Sequence, residues 1–356
     1  MLFLNQEDIA KLVDLDEMMD QIEEAYRIYG EGKFYMPHRP TVEHRNKMLL
    51  YMPCFLENSF GTKILTSFPD NAKLGLPSLN GLMLINNYET GAPLAMLDGQ
   101  SVTAYRTGAV GGVGMRHLSR PDCHSVGIVG AGTQGFYQAL YACAARDIHK
   151  VFVFNHSTRD LTQYLQRLRE AIGNPKIEVT QCSTIEELVA NSDIICTTTP
   201  SEEPVLPNDA EALRGKCIIA VGSFKPTMRE IPDAIWKLVD KVYTELPFAC
   251  EESGDLSQPL EAGLLKLDDV AYMNEYLAAK ECTSEGIKEV TSEVAKAGIE
   301  EAAREVAREG IEEAASEVTN ETTYFKSVGM GLFDICLANK MLEVAKRRKI
   351  GQEIKV

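Results

Sequence analysis

Apolar residues recur every three to four positions across residues 6–31, where Ile9, Leu12, Val13, Met18, Ile22, Ala25 and Tyr26 share one side of a helical wheel. That spacing predicts one or two amphipathic helices. From Phe34 to Leu97 the pattern shortens to apolar runs set between Pro, Gly and Asn, and Met48–Met52, Gly61–Ser67, Gly81–Asn86 and Pro93–Leu97 are the predicted strands of an antiparallel sheet. A helix rich in Gly and Ala follows over about Ser101–Leu118. Glycine inside a helix costs up to about 1 kcal/mol relative to alanine, so this helix is expected to pack closely against another element.

Beyond residue 124, strand-like and helix-like runs alternate. Strands are predicted at Ser125–Val129, Val151–Phe154, Ile177–Gln181, Ile194–Thr198, Cys217–Val221 and Lys241–Thr244, with helices at Gln134–Ala145, Leu161–Ile172 and Ile185–Ala190. This rhythm predicts a parallel sheet with helices on both faces, an α/β class. Thr322–Leu342 reads as a last helix, and the basic run Lys346-Arg347-Arg348-Lys349 suits the negative end of a helix dipole. A 12-residue repeat stands before it: Gly286-Ile287-Lys288-Glu289, Gly298-Ile299-Glu300-Glu301 and Gly310-Ile311-Glu312-Glu313. Twelve residues advance a helix by about 1200°, so successive apolar stripes turn by about 120°. The segment 286–320 is read as an acidic helical insertion without chemistry, a partner surface being the alternative.

The chain has 356 residues, more than one ordinary core holds, so two domains are expected. Its formal charge of −16 is uneven, because residues 281–321 alone hold twelve Glu against four Lys and Arg. The acidity argues against nucleic acid as a partner, since a basic footprint supplies most of that affinity. No apolar run approaches the ~20 residues of a membrane helix, and the N-terminus turns acidic without a basic leader. Nine cysteines form no C-x-x-C pair and, with six histidines, no zinc-ligand spacing. Reduced thiols, a cytoplasmic location and no metal centre are therefore expected.

Strand Ser125–Val129 runs directly into Gly130-Ala131-Gly132-Thr133-Gln134-Gly135 and a helix. In this context G-x-G-x-x-G marks a dinucleotide site. Gly130 permits the tight turn, Gly132 lets backbone approach a pyrophosphate, and Gly135 lets helix and strand pack closely. Thr133 and Gln134 open the helix whose free N–H groups would receive the phosphates. The second strand ends Asn155-His156-Ser157-Thr158-Arg159, without the carboxylate that reads an NAD ribose. Asn155, Ser157 and Arg159 could hold a 2′-phosphate, so NADP(H) is favoured over NAD(H).

Gly61-Thr62-Lys63, Pro69-Asp70-Asn71, Gly75-Leu76-Pro77, Gly91-Ala92-Pro93-Leu94-Ala95, Asp98, Thr103-Ala104-Tyr105-Arg106-Thr107, the glycine turn, Ser253-Gly254-Asp255 and Phe325-Lys326-Ser327-Val328-Gly329 follow in order. Together they resemble the ornithine cyclodeaminase/mu-crystallin family over about 1–280 and 321–350. The resemblance implies a homodimer with an active site between two domains. Residues 1–118 with 321–356 would form an α+β substrate-binding and dimerisation domain completed by the C-terminal helix. A Rossmann domain, 119–285, would be inserted into it. It also implies that Arg39 and Arg106 grip a substrate carboxylate, that Lys63 contacts the same group near the reacting carbon, and that Ser78, Thr107, Ser327 and Gly329 serve the cofactor. Guanidinium forks match a carboxylate bidentately, and an ammonium can also donate a proton.

Two positions depart from the family pattern. Ornithine cyclodeaminases carry acids where this chain has Leu50 and Phe224. An ammonium facing apolar residues there would lose its counter-charges. Glu230 and Asp255 are the nearest replacement acids in sequence, though a backbone- or cation-binding role suits them better. A carboxylate clamp, a lysine, a nicotinamide cofactor and an apolar wall suit hydride transfer to a small (cyclic) 2-imino acid, giving an L-amino acid or the reverse. Ornithine cyclodeaminase activity and non-catalytic dinucleotide binding are the competing expectations.

Overall fold

Polar caps set the N-terminal helices. Asn5 and Asp8 form a reciprocal capping box on helix Gln6–Leu12, and Asp14 caps helix Leu15–Glu31 through the N–H groups of Asp16 and Glu17. The structure is a computed structural model that describes residues 1–282 and 321–355. The 286–320 repeat lies outside the described residues. By its contacts the chain forms two compact units, Met1–Val113 with Gly329–Val356, and Gly114–Val328.

The first unit holds a seven-stranded sheet, in the order Gln352–Glu353, Leu2–Leu4, Pro93–Asp98, Leu79–Asn87, Ser59–Ser67, Lys47–Phe55, Thr41–His44. The four predicted strands are present, each slightly longer. Leu2–Leu4, Thr41–His44 and Gln352–Glu353 were not expected; they are short, and a period of two has little room to show in them. In strand Ser59–Ser67 the residues Ser59, Gly61 and Lys63 are buried while Phe60, Thr62 and Ile64 face the other side. Helix Gly331–Arg348 packs across the buried face, against strands Lys47–Phe55, Ser59–Ser67 and Leu79–Asn87 and helix Leu15–Glu31. Tyr26 meets Phe333 edge-on at 5.0 Å between ring centroids. Leu332, Phe333, Ile335, Leu337 and Met341 are fully buried in this packing, each worth about 1.5–3 kcal/mol relative to exposure.

The second unit holds an eight-stranded parallel sheet. Its order is Val270–Tyr272, Val242–Thr244, Thr323–Lys326, Cys217–Ala220, Ile194–Thr197, Ser125–Val129, Lys150–Phe154, Glu178–Gln181. Ile194–Thr197 and Cys217–Ala220 are buried at every position, as expected of strands covered on both faces. One expectation fails here. Residues 323–326 are a strand paired with Cys217–Ala220 and Val242–Thr244, and the helix expected from Thr322 begins only at Gly331. Parallel pairing with strands 106 and 82 residues earlier (Thr323 with Cys217, Tyr324 with Val242) overrides the local pattern. The glycine-rich helix, Gly99–Leu118, does meet a close neighbour. A Cβ on Gly114 would lie 2.8 Å from the Phe325 ring.

Candidate active site

Strand Ser125–Val129 sits between Ile194–Thr197 and Lys150–Phe154, so the chain reverses its direction of strand addition beside it. Ligands of open parallel sheets bind at the carboxyl ends of the strands at such a switch point. There the turn begins with Gly130 at φ +105°, a conformation that only glycine adopts easily. The Gly130 N–H donates to the Phe154 carbonyl at 2.9 Å. A side chain on Gly135 would collide with the Gly130 carbonyl, whereas the space around Gly132 is open. Gly132 is the N-cap of helix Thr133–Ala145 and offers no side-chain cap. The first N–H groups of that helix therefore receive no bond from a cap side chain and form its positive dipole end. The Gln134 amide oxygen is buried without a partner in the same turn. These residues fit a dinucleotide pyrophosphate.

The end of the second strand fastens onto this turn. Asn155 accepts the Ala131 N–H at 3.1 Å and donates to the Ser157 hydroxyl at 2.6 Å, and the Arg159 guanidinium donates to the Ala131 carbonyl. Asn155 and Arg159 thus meet at Ala131, and Ser157 is tied to them through Asn155.

Lys63 lies on the inner face of its strand, fully buried, with Met52 directly opposite on the neighbouring strand. Its ammonium donates to Asp334 Oδ1 at 2.7 Å, and Arg106 Nε donates to the same oxygen at 3.1 Å. Burial pushes the Lys63 ammonium down to about 8. Asp334 pulls it upward, while the nearby Arg106 and Arg39 charges pull it further down. The three expected cations therefore share one neighbourhood. Two or three positive charges around a single carboxylate leave net positive charge in a buried place, a receptor for an anionic group. Asp334 Oδ2 has no hydrogen-bond partner. Leu50 pairs with Leu65, two residues along from the Met52–Lys63 pair, so it faces the same side of the sheet as Lys63.

Asp334 was missed in the sequence. Its one available signal was a lone acid inside the apolar run Gly331-Leu332-Phe333-Asp334-Ile335-Cys336-Leu337. Gly329, at φ +76°, backs the clamp, because a Cβ there would overlap the Arg106 guanidinium. Thr107 follows Arg106 in the helix and is buried. Ser78 is half-buried in the loop before strand Leu79–Asn87, where its carbonyl accepts the Phe68 N–H at 2.7 Å.

In the second unit the Ser327 hydroxyl donates to the buried Glu245 carboxylate, which also accepts the Val328 N–H at 3.0 Å. Glu230 accepts from Thr199 N (2.6 Å), Thr199 Oγ1 (2.8 Å), Gly222 N (2.8 Å) and Ser223 N (3.2 Å). Burial raises its carboxyl, and Lys326 pulls the other way. Asp255 accepts from the N–H groups of Glu230 and Ile231 and from Lys326 at 3.0 Å. Both acids are buried and committed to holding loops. Phe224 is exposed.

The model of the ornithine cyclodeaminase/mu-crystallin family matches residues 1–349. A Delta(1)-pyrroline-2-carboxylate reductase of Bacillus cereus is 30% identical over 362 residues, 99% of each chain. The structure of the Thermococcus litoralis Delta(1)-pyrroline-2-carboxylate reductase in complex with NADH and L-proline superposes with a TM-score of 0.82 at 28% identity, covering 99% of this chain and 100% of that one. An archaeal alanine dehydrogenase dimer with bound NAD gives a TM-score of 0.78 at 27% identity, over 100% and 99% of the two chains.

Proposed function

The chain belongs to the ornithine cyclodeaminase/mu-crystallin family, and from that premise we propose that it reduces a cyclic 2-imino acid to the corresponding L-amino acid, a five-membered imine being the first substrate to test. It is an NAD(P)-dependent oxidoreductase. The observation that carries the substrate class is the buried Lys63–Asp334–Arg106 cluster, cationic on balance, beside Leu50. A carboxylate is the group such a cluster binds, and an uncharged ring suits a wall with no second acid.

When bound, a reduced nicotinamide supplies the hydride equivalent for the imino carbon. The residues of this chain do the rest. Arg106 and Arg39 hold the substrate carboxylate and fix the imino carbon in place. Lys63, ammonium at neutral pH yet with a value close to it, donates a proton at the imino nitrogen, as a general acid of matched strength. Asp334 holds the Lys63 and Arg106 side chains in position.

NADP(H) is the cofactor proposed as preferred. Asn155, Ser157 and Arg159 offer a cation and polar groups where a carboxylate would repel a 2′-phosphate. The compartment proposed is the cytoplasm, since nine unpaired cysteines suit a reducing environment; no helix among the described residues is long and apolar enough to cross a membrane. A homodimer is proposed as well. Tyr51, Phe55, Phe60, Ile64, Leu82 and Leu84 line the outer face of the first unit's sheet, and Leu82 is 44% exposed. A second copy is the proposed cover for this apolar face.

The function is tested by following absorbance at 340 nm with cyclic and acyclic 2-imino acids and both reduced cofactors. Oxidation of cofactor with a cyclic imino acid supports the reading. Proline formed from ornithine with no added reductant, and no reduction of any imino acid, would replace it with the lyase.

A further inference from the structure

We propose that His124, Asp147 and His149 form a surface site for a divalent transition cation of the zinc type. These residues lie at the amino-terminal edge of the parallel sheet. His124 directly precedes strand Ser125–Val129, and Asp147 and His149 stand in the turn before strand Lys150–Phe154. Their potential ligand atoms, two imidazole nitrogens and a carboxylate oxygen, lie within 4.8 Å of one another.

The backbone already fixes the two histidines side by side. The His149 and Lys150 N–H groups donate to the His124 carbonyl at 2.7 and 3.2 Å, and the His149 carbonyl accepts the Glu178 N–H at 2.9 Å. The two rings stack in parallel at 4.6 Å.

At His124 hydrogen bonding also selects the tautomer that a metal needs. His124 Nδ1 lies 2.8 Å from the Asp147 carbonyl. A carbonyl only accepts, so Nδ1 carries the proton and the Nε2 lone pair is left for a cation. A ligating histidine characteristically donates its other N–H to a carbonyl or carboxylate in this way. Asp147 Oδ2 lies 3.2 Å from His149 Nε2 and accepts its hydrogen, so a cation here would displace that proton from a carboxylate and a second imidazole that are already adjacent. All three side chains are exposed, so the rings are free to turn out of their parallel stack and bring their lone pairs to one point at the roughly 2.0–2.2 Å bonds of zinc. Two imidazoles and one carboxylate suit zinc, cobalt, nickel or copper and not magnesium or calcium, which prefer oxygen donors. The three protein ligands leave a fourth position for water or another ligand.

No part of this site touches the glycine turn. His124 and Gly130 stand at opposite ends of the strand Ser125–Val129, a separation of about 3.3 Å per residue along it. Metal binding should therefore add stability by tying two segments together, without changing turnover. No sequence spacing betrays the site, because the ligands are brought together by parallel pairing of the two strands.

The test is isothermal titration of the chelator-stripped full chain with zinc chloride, beside His124→Gln, His149→Gln and the double variant. The wild type should show a binding event of one equivalent that each single variant weakens at least tenfold and the double variant loses. Zinc should raise the melting temperature of the wild type and leave that of the double variant unchanged, while all four proteins melt together in chelator. Identical titrations and identical zinc-dependent melting in the wild type and the double variant would overturn the proposal, assigning the bound zinc to thiols elsewhere.

Discussion

Lys63 and Arg106 donate to the same carboxylate oxygen of Asp334, at 2.7 and 3.1 Å, although they stand 271 and 228 residues from it in the chain. The anion-binding character of the first unit depends on this shared contact. Asp334 neutralises enough charge to let two cations stay buried and not enough to satisfy both.

Asp334→Asn should change the pH profile of reduction. Lys63 must be an ammonium to donate its proton, so kcat/KM should fall above about pH 8 in the wild type. Removing the carboxylate withdraws the main group that raises Lys63, so the falling limb should move to lower pH. A limb at the same pH in the variant would detach Lys63 from proton donation. Asp334→Ala, which leaves two buried cations uncompensated, should also lower stability by about 3–5 kcal/mol in urea unfolding.

Arg106→Ala should remove the grip on the substrate carboxylate. Losing a buried charged hydrogen bond of this kind costs roughly 2–5 kcal/mol, so kcat/KM should fall by about 30- to 5,000-fold, with KM rising. Dinucleotide affinity, read by quenching of protein fluorescence, should stay at the wild-type value. An unchanged KM would remove Arg106 from substrate binding.

Gly329→Ala should reproduce the Arg106→Ala defect with the arginine still present. The new Cβ would overlap the guanidinium, and φ +76° disfavours any L side chain. Dinucleotide affinity and melting temperature report whether the defect is confined to the clamp. Wild-type kinetics in Gly329→Ala would show that Arg106 can act from another position.

Arg159→Ala should discriminate between the two cofactors. If Arg159 pairs with a 2′-phosphate, KM for NADPH should rise about tenfold or more while KM for NADH changes little. Equal losses with both would assign Arg159 to its contact with the Ala131 carbonyl alone.

The parts that could be read from sequence are those whose signal is local. Gly130 and its neighbours follow a strand and open a helix within a few residues, and the antiparallel strands from Lys47 to Asp98 are adjacent in sequence as short apolar runs bounded by Pro, Gly and Asn. The parts that could not be read depend on distant partners. Thr323–Lys326 joins the sheet only because Cys217–Ala220 and Val242–Thr244 lie on either side of it. Asp334 is surrounded in sequence by core residues of a helix, and nothing within that helix says that its acid meets Lys63. Glu230 and Asp255 behave as their sequence setting suggested, serving backbone and a cation: their hydrogen bonds commit them to the loops at Thr199, Gly222 and Ile231 and to Lys326.

The central claim, hydride delivery to the imino carbon of a cyclic 2-imino acid, is tested most directly with reduced cofactor carrying deuterium in place of both hydrogens at C4 of the nicotinamide. The product of reducing Δ1-pyrroline-2-carboxylate should be L-proline one mass unit heavier, with the deuterium on C2. Unlabelled proline, or no oxidation of cofactor with this or any other cyclic imino acid, would contradict the account.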